Sequence, residues 1–264
     1  MYRVCIVVFL FLSCANIYAE KSGTWTQKTV PKKIRMCWHE APPHAASNLL
    51  DGGFHADFTS TVMTEAGFEP EVVFVPWARC RSGAKAGIYD MLFSMWMDVD
   101  LHQHEFDFFN ITDIQYTSFS VLDDSELHSS ELKDLDGVRL ALHNHGGYSS
   151  DLLNHKGFKF KFVSNDTQKL KMLANNRVDV IIGDALRFDY ELKHNLSDLD
   201  IELRTLLPVI QKQRTAPAMS KNNPHNKEII RRYNAAYIRL CENGVLQEII
   251  TKHGFDFEPI DCSK

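Results

Sequence analysis

The chain has 264 residues, a formal net charge of −5, and apolar residues making up 44% of the total. Mild acidity of this size, with no basic block, excludes the electrostatic footprint of a nucleic-acid-binding protein. Apart from its first residues it has no long apolar stretch, and about 245 residues suffice for one large domain or two small lobes.

Residues 1–19 read as an export signal, with Arg3 near the start, an apolar run from Val4 to Leu12, and small or polar residues up to Ala19. The run is too short to span a bilayer, which takes about 20 apolar residues as a helix. The mature chain is expected to begin near Glu20. Lipoprotein processing at Cys14 is a competing reading, but Phe11 and Leu12 ahead of Ser13 fit such a site poorly, so cleaved, soluble export is favoured. Four cysteines survive cleavage, Cys37, Cys80, Cys241 and Cys262, in a chain bound for an oxidising compartment. Of the three possible pairings, Cys37 with Cys80 and Cys241 with Cys262 are favoured, the second because it would tie the C-terminal tail to the last long helix. Four buried thiols are the alternative. No pair has CxxC spacing, so neither a thioredoxin-type site nor a zinc knuckle is supported.

From Ile34 onward short apolar runs alternate with helical patterns, the pattern of an α/β protein. IRMCW (34–38) predicts a strand, and 56–66 a helix with Phe58, Val62, Met63 and Ala66 on one face and Gly67 as its stop. EVVFV (71–75) predicts a strand closed by Pro76, 78–86 a helix ending at Gly87, and DMLFSM (90–95) a buried strand. A second set follows: strands at 118–122 and 138–142, a helix over 149–153, a strand at 158–163, a helix over 167–176 and a strand at 178–183. The polar stretch 123–137 reads as a loop. Ile229, Tyr233, Ala236, Tyr237 and Leu240 fall at helical spacing, and a shorter helix follows Asn243-Gly244. Such strand–helix–strand units imply right-handed crossovers and mostly parallel pairing, and their count suggests two sheets.

EAPPH (40–44), VPWAR (75–79), GIYD (87–90), FDFFNIT (106–112), LKDLDGVRLAL (132–142), NNRVDVIIGD (175–184) and ENGVLQEIITKHGF (242–255) stand in an order and spacing that resembles the bacterial extracellular solute-binding proteins of family 3, the polar amino-acid type. The resemblance runs through nearly the whole mature chain. It implies the two-lobed periplasmic binding protein fold, each lobe a mostly parallel sheet flanked by helices and joined by a two-strand hinge. Lobe 1 would be 30–117 plus 222–264, and lobe 2 would be 118–221. A monomeric periplasmic receptor is implied, one that closes on a small polar ligand, amino-acid-like or amine-bearing, for an ABC permease or a membrane sensor, without a cofactor.

The resemblance also names candidate ligand contacts. Asp184 stands where the family uses an acid at a strand end to hold a ligand amino group through charge-assisted hydrogen bonds, although an Asp before ALRFDYEL is also a helix N-cap. Trp77 stands where an aromatic stacks on the ligand. Trp38 and Glu40 lie on the neighbouring loop, and Ser94 and Trp96 lie at the end of the DMLFSM strand. In the second lobe Gly147, Tyr148 and Ser149 lie between a strand and a helix, where backbone N–H groups can receive an anion. One departure matters: the arginine that grips a ligand carboxylate in amino-acid receptors corresponds here to His102, which cannot form the same fork. Arg79 or Arg81 could substitute from the adjacent loop. Asp98 and Asp100 nearby favour an amine-bearing ligand.

The pairs His102/His104 and His143/His145 could each aim two imidazoles the same way, but no carboxylate or cysteine falls at metal-ligand spacing, so no metal is expected. No nucleotide, dinucleotide or hydrolase fingerprint is present. The competing function is a secreted enzyme on the same scaffold, such as a cyclohexadienyl-type dehydratase, for which Glu40 and Asp184 would be the cleft acids. A ligand-free interaction module is the third reading.

Overall fold

The computed structural model describes residues 29–144, 148–260 and 262. The export-signal reading, Cys14, and the expectations for His145 and Gly147 fall outside the described residues. In chain order the elements are β1 (Lys33–Trp38), α1 (Phe54–Glu65), β2 (Glu69–Phe74), α2 (Trp77–Ala86), β3 (Met91–Trp96), α3 (Asp100–Glu105), β4 (Phe106–Phe108) and β5 (Asp113–Leu122). Then come β6 (Arg139–His143), α4 (Ser150–Leu153), β7 (Lys159–Val163), α5 (Asp166–Ala174), β8 (Val180–Gly183), α6 (Ala185–His194), β9 (Leu203–Thr205), β10 (Gln211–Ser220), α7 (Asn226–Glu242) and α8 (Val245–Lys252).

The parallel pairs are those expected of strand–helix–strand units: β1 with β2 and β3, and β6 with β7 and β8. The strand order is β2-β1-β3-β10-β5-β8-β6-β7, with β4 on β10 and β9 on β5. The two sheets suggested by the strand count are thus joined edge to edge. Two long antiparallel strands, β5 and β10, make the join. Residues 113–117 of β5 pair with 211–215 of β10, while the next residues of β5 (118–120) pair with β8 and the rest of β10 pairs with β3 and β4.

Burial separates along the same line. Phe54, Phe58 and Met63 of α1 pack with Met91 and Phe93 of β3 and with Tyr233, Tyr237, Leu246 and Ile250 of α7 and α8. Around the other sheet, Val180 and Ile182 of β8 face one cluster with Phe119, Leu140 and Leu142, while Ile181 faces another with Leu170, Leu173 and Phe188. Both faces of β8 are covered, so it reads as an unbroken apolar run rather than an alternation. α2 ends at Gly87 in the left-handed region (φ +78°), which returns the chain into β3.

Cys37, in β1, and Cys80, in α2, form a disulfide with Cα atoms 5.6 Å apart, and Cys241, at the end of α7, is bonded to Cys262 in the tail. The first bond is fully buried and closes a sequence separation of 43 residues between a strand and the helix that covers it. Replacing both cysteines of this bond by alanine (C37A/C80A) is expected to cost about 2–5 kcal/mol, the usual penalty for losing a native disulfide. Urea unfolding of the variant against the parent checks this, and a midpoint within error of the parent would contradict it.

Candidate functional site

In open parallel sheets, ligands are met beyond the carboxyl ends of the strands, where loops turn into helices. Here the ends of β1, β3 and β8 converge on the β5–β10 crossing. β1 ends in Trp38, and Trp77 opens α2 beside it. The two rings meet edge to face at 5.0 Å between centroids, and His102 from α3 meets Trp77 at 5.9 Å. Trp38 is only 8% exposed, so it acts as backing for the half-buried Trp77. Ser94 is buried within β3, and Trp96 Nε1 donates to Gln115 Oε1 at 2.8 Å, tying the strand end to β5.

His102 is anchored locally. His102 Nδ1 lies 2.9 Å from the Trp96 carbonyl, an acceptor, so this nitrogen carries the proton and Nε2 the lone pair. Burial and the charge of Arg81 push its pKa down, leaving a neutral ring at physiological pH. Arg81 itself pairs with Glu105, which also takes Lys85 at 2.6 Å. Arg79 is exposed. Glu40 is exposed and accepts from the Ser47 amide (2.9 Å) and hydroxyl (2.7 Å), bracing its own loop. Asp98 is held by Arg214.

Across the β5–β10 crossing, Asp184 does two things at once. Its Oδ1 accepts from the Leu186 amide at 2.9 Å as the N-cap of α6, and its Oδ2 lies 2.6 Å from His44 Nε2 in the loop after β1. The helix-cap alternative is therefore present in the structure, together with a contact to the opposite sheet. Tyr148 accepts from the His143 amide at 3.0 Å, and burial raises its hydroxyl pKa to about 12. The Ser149 side chain caps α4 by accepting from Leu152 N, so it serves its own helix.

Several residues at this crossing carried no sequence signal. His39 follows Trp38; burial and the charge of Arg187 push its imidazole down to about 4, and its Nδ1 is buried without a partner. Arg187, on α6, joins a charge cluster behind Asp184. Asp166 bonds His143 Nε2 (2.7 Å), Lys169 Nζ (3.1 Å) and Arg187 Nε (3.0 Å), and Lys169 also donates to the Ile182 carbonyl at 2.6 Å. Lys169 is 1% exposed, and burial lowers its ammonium pKa to about 8 despite the Asp166 charge. Burial alone would raise the Asp166 carboxyl, but the His143 hydrogen bond and the Arg187 and Lys169 charges outweigh it and hold it well below the carboxylate range. A hollow of about 430 Å³ lies elsewhere, along the polar face of α5 at Asn165, Gln168, Lys171 and Asn175, and shares no residue with this cluster.

Residues 40–256 match the bacterial extracellular solute-binding proteins, family 3, and the chain belongs to that family. No curated protein matches the chain in sequence. Solved structures share the fold. A histidine kinase sensor domain with similarity to periplasmic binding proteins aligns at a TM-score of 0.72 with 20% identity, over 87% of this chain and 99% of that one. A P235GK mutant of the arginine-binding protein of T. maritima aligns at 0.68 and 16%, over 84% and 94%. The GluR0 ligand-binding core of Nostoc punctiforme, in complex with L-glutamate, aligns at 0.66 and 19%, over 86% and 100%. The chain is a ligand-binding receptor by family, and among the described residues no helix is long and apolar enough to cross a membrane.

The charge cluster behind Asp184 makes a measurable claim. Asp166→Asn leaves Lys169 and Arg187 buried or half-buried against a neutral amide, and is expected to cost about 3–5 kcal/mol at pH 7. Because the folded-state pKa of Asp166 is depressed, its contribution is fully present above the unfolded value of about 3.9 and is lost progressively as pH falls from there towards the far lower folded value. The gap in unfolding free energy between parent and variant should therefore be largest at neutral pH and begin to narrow below about pH 4. A gap that does not narrow in acid would refute the assignment.

Proposed function

We propose that this chain is an exported periplasmic receptor that closes on a small, polar, amine-bearing molecule and hands it to an ABC importer or reports it to a membrane sensor, performing no chemistry on it. Residues 30–117 with 222–264 form one lobe in this reading, 118–221 form the other, and the monomer bends about β5 and β10. The observation that carries it is that groups from both sides of that crossing meet: His44 bonds Asp184 across the gap at 2.6 Å, and the charge of Arg187 acts on the buried ring of His39, which meets Trp77 at 5.9 Å.

The amine preference rests on what opposes a carboxylate. The residue standing for the family's carboxylate-gripping arginine is His102, neutral and committed to the Trp96 carbonyl, while Arg81 is ion-paired with Glu105. Asp184 offers an oxygen to a donor, and Trp77 offers an aromatic face to a cation, so an ammonium can be held by charge and by cation–π attraction together. Arg79, Glu40, Ser94, Trp96, Tyr148 and Ser149 frame or brace the site in this reading. Asp98, engaged by Arg214, contributes to the local field rather than to direct contact.

The test is a thermal-stability screen of the mature protein, freed of co-purified ligand by unfolding and refolding, against amino acids, monoamines, polyamines and small organic acids. A ligand at a hundred times its dissociation constant adds about 2.7 kcal/mol of stability. An amine-bearing compound should raise the midpoint, and Asp184→Ala or Trp77→Ala should abolish the rise. A response confined to carboxylates lacking an amine would overturn the amine assignment, and a response unaltered in both variants would overturn the site.

A further inference from the structure

Among the described residues, metal-ligating groups gather away from the His102/His104 pair. One nitrogen of His44, one nitrogen of His55 and one carboxylate oxygen of Asp113 lie within 4.8 Å of one another. The three come from three elements: the loop after β1, the first turn of α1 and the first residue of β5. All three are buried, at 4%, 1% and 3% exposure.

Buried imidazoles ordinarily satisfy both ring nitrogens, because an unmade hydrogen bond there costs about 1–3 kcal/mol. His44 does not: its Nδ1 is shielded from solvent and has no hydrogen-bond partner. Asp184 holds Nε2 of His44 at 2.6 Å. A carboxylate on one imidazole nitrogen fixes the tautomer and presents the other nitrogen as a bare lone pair, the form in which histidine binds metals. His55 Nε2 and Asp113 Oδ1 are 3.1 Å apart, close to the separation of about 3.4 Å between two ligands of a tetrahedral zinc ion at bond lengths near 2.1 Å. The rings are also held in place without a metal. The imidazoles stack at 5.4 Å with 17° between planes, His44 stacks on Phe255 at 5.5 Å, and the His55 amide donates to the His44 carbonyl at 3.0 Å.

We propose that His44, His55 and Asp113 form a three-ligand site for a divalent transition-metal ion of the zinc class, supported from outside the ligand set by Asp184 on His44. Two imidazoles and one carboxylate suit zinc and its neighbours and disfavour magnesium and calcium, which take oxygen ligands. Three protein ligands leave a coordination position for water or another group. The site lies apart from the Trp77 wall but shares Asp184 with the proposed solute site, so it rests on that reading only through this residue.

The experiment uses the mature protein, stripped with a chelator and then dialysed against Zn²⁺ or Co²⁺, with bound metal measured by elemental analysis and Co²⁺ by its visible ligand-field absorption. One metal per chain is expected, with the intense Co²⁺ bands of a four-coordinate site. His44→Gln and His55→Gln should each remove that equivalent, while His104→Gln and His194→Gln, which alter exposed histidines, should leave it in place. Failure of the folded parent to retain one equivalent would overturn the proposal, as would retention in both His44→Gln and His55→Gln. Should these variants not fold, the Co²⁺ spectrum of the parent decides: weak six-coordinate bands overturn the buried nitrogen site, and intense bands support it.

Discussion

The backbone pairing that joins the two α/β units runs through one short ladder, the antiparallel pairing of Asp113–Thr117 with Gln211–Thr215. Antiparallel hydrogen bonds run perpendicular to the strands, so the ladder resists sliding of one strand along the other. It resists twisting far less, since two-stranded ribbons tolerate a wider range of twist than broad sheets. On either side each strand is anchored in a different sheet, β10 against β3 and β4 and β5 against β8 and β9, and each sheet keeps its own apolar core. Rotation about the ribbon would leave both cores intact, which is the motion that the proposed receptor requires.

The ribbon also positions chemistry. Gln115 on β5 receives the Trp96 indole, and Asp113 at its start bonds His55, so the first residues of this strand are fastened to the body that carries the tryptophans. Its far end is paired with β8, whose following residue is Asp184. The groups facing one another across the crossing are thus set by a single strand running beneath both. Behind Asp184, the Asp166–His143–Lys169–Arg187 cluster fixes the mutual packing of α5 and α6, which stiffens the helix that Asp184 caps.

Most of the parallel strands and their covering helices were legible in the sequence because their burial is apolar and periodic: IRMCW, DMLFSM and VDVIIG announce themselves. β10 does not. Its buried positions include Gln213, Thr215 and Ser220, and Pro217 lies within it, so neither hydrophobic alternation nor strand propensity marks QKQRTAPAMS. The strand is held by partners on both sides rather than by its own composition. The site divides in the same way. Trp77, His102 and Asp184 were found by their place in a family pattern, whereas His39, His44 and Arg187 gain significance only when the chain is folded. The spacing HEAPPH carries no periodic signal, because the loop there closes on itself through the Ala41–Ala45 bridge rather than through a regular element. The family pattern placed Gly147, Tyr148 and Ser149 where backbone N–H groups could receive an anion; what the sequence did not mark is that the Ser149 hydroxyl caps the first turn of α4.

Asp184 joins the two proposals. One of its oxygens is committed to α6, and the other is held by His44 from across the crossing. A ligand ammonium arriving at that second oxygen takes the place of the His44 imidazole and brings a full positive charge to the carboxylate. A solute without such a donor must displace His44 and return nothing, which makes the internal contact a filter as well as a placeholder. The same displacement removes the carboxylate that orients His44 towards Asp113 and His55. Solute and metal therefore act on one shared group from opposite sides, and linkage requires that whatever the solute does to metal affinity, the metal does in equal measure to solute affinity.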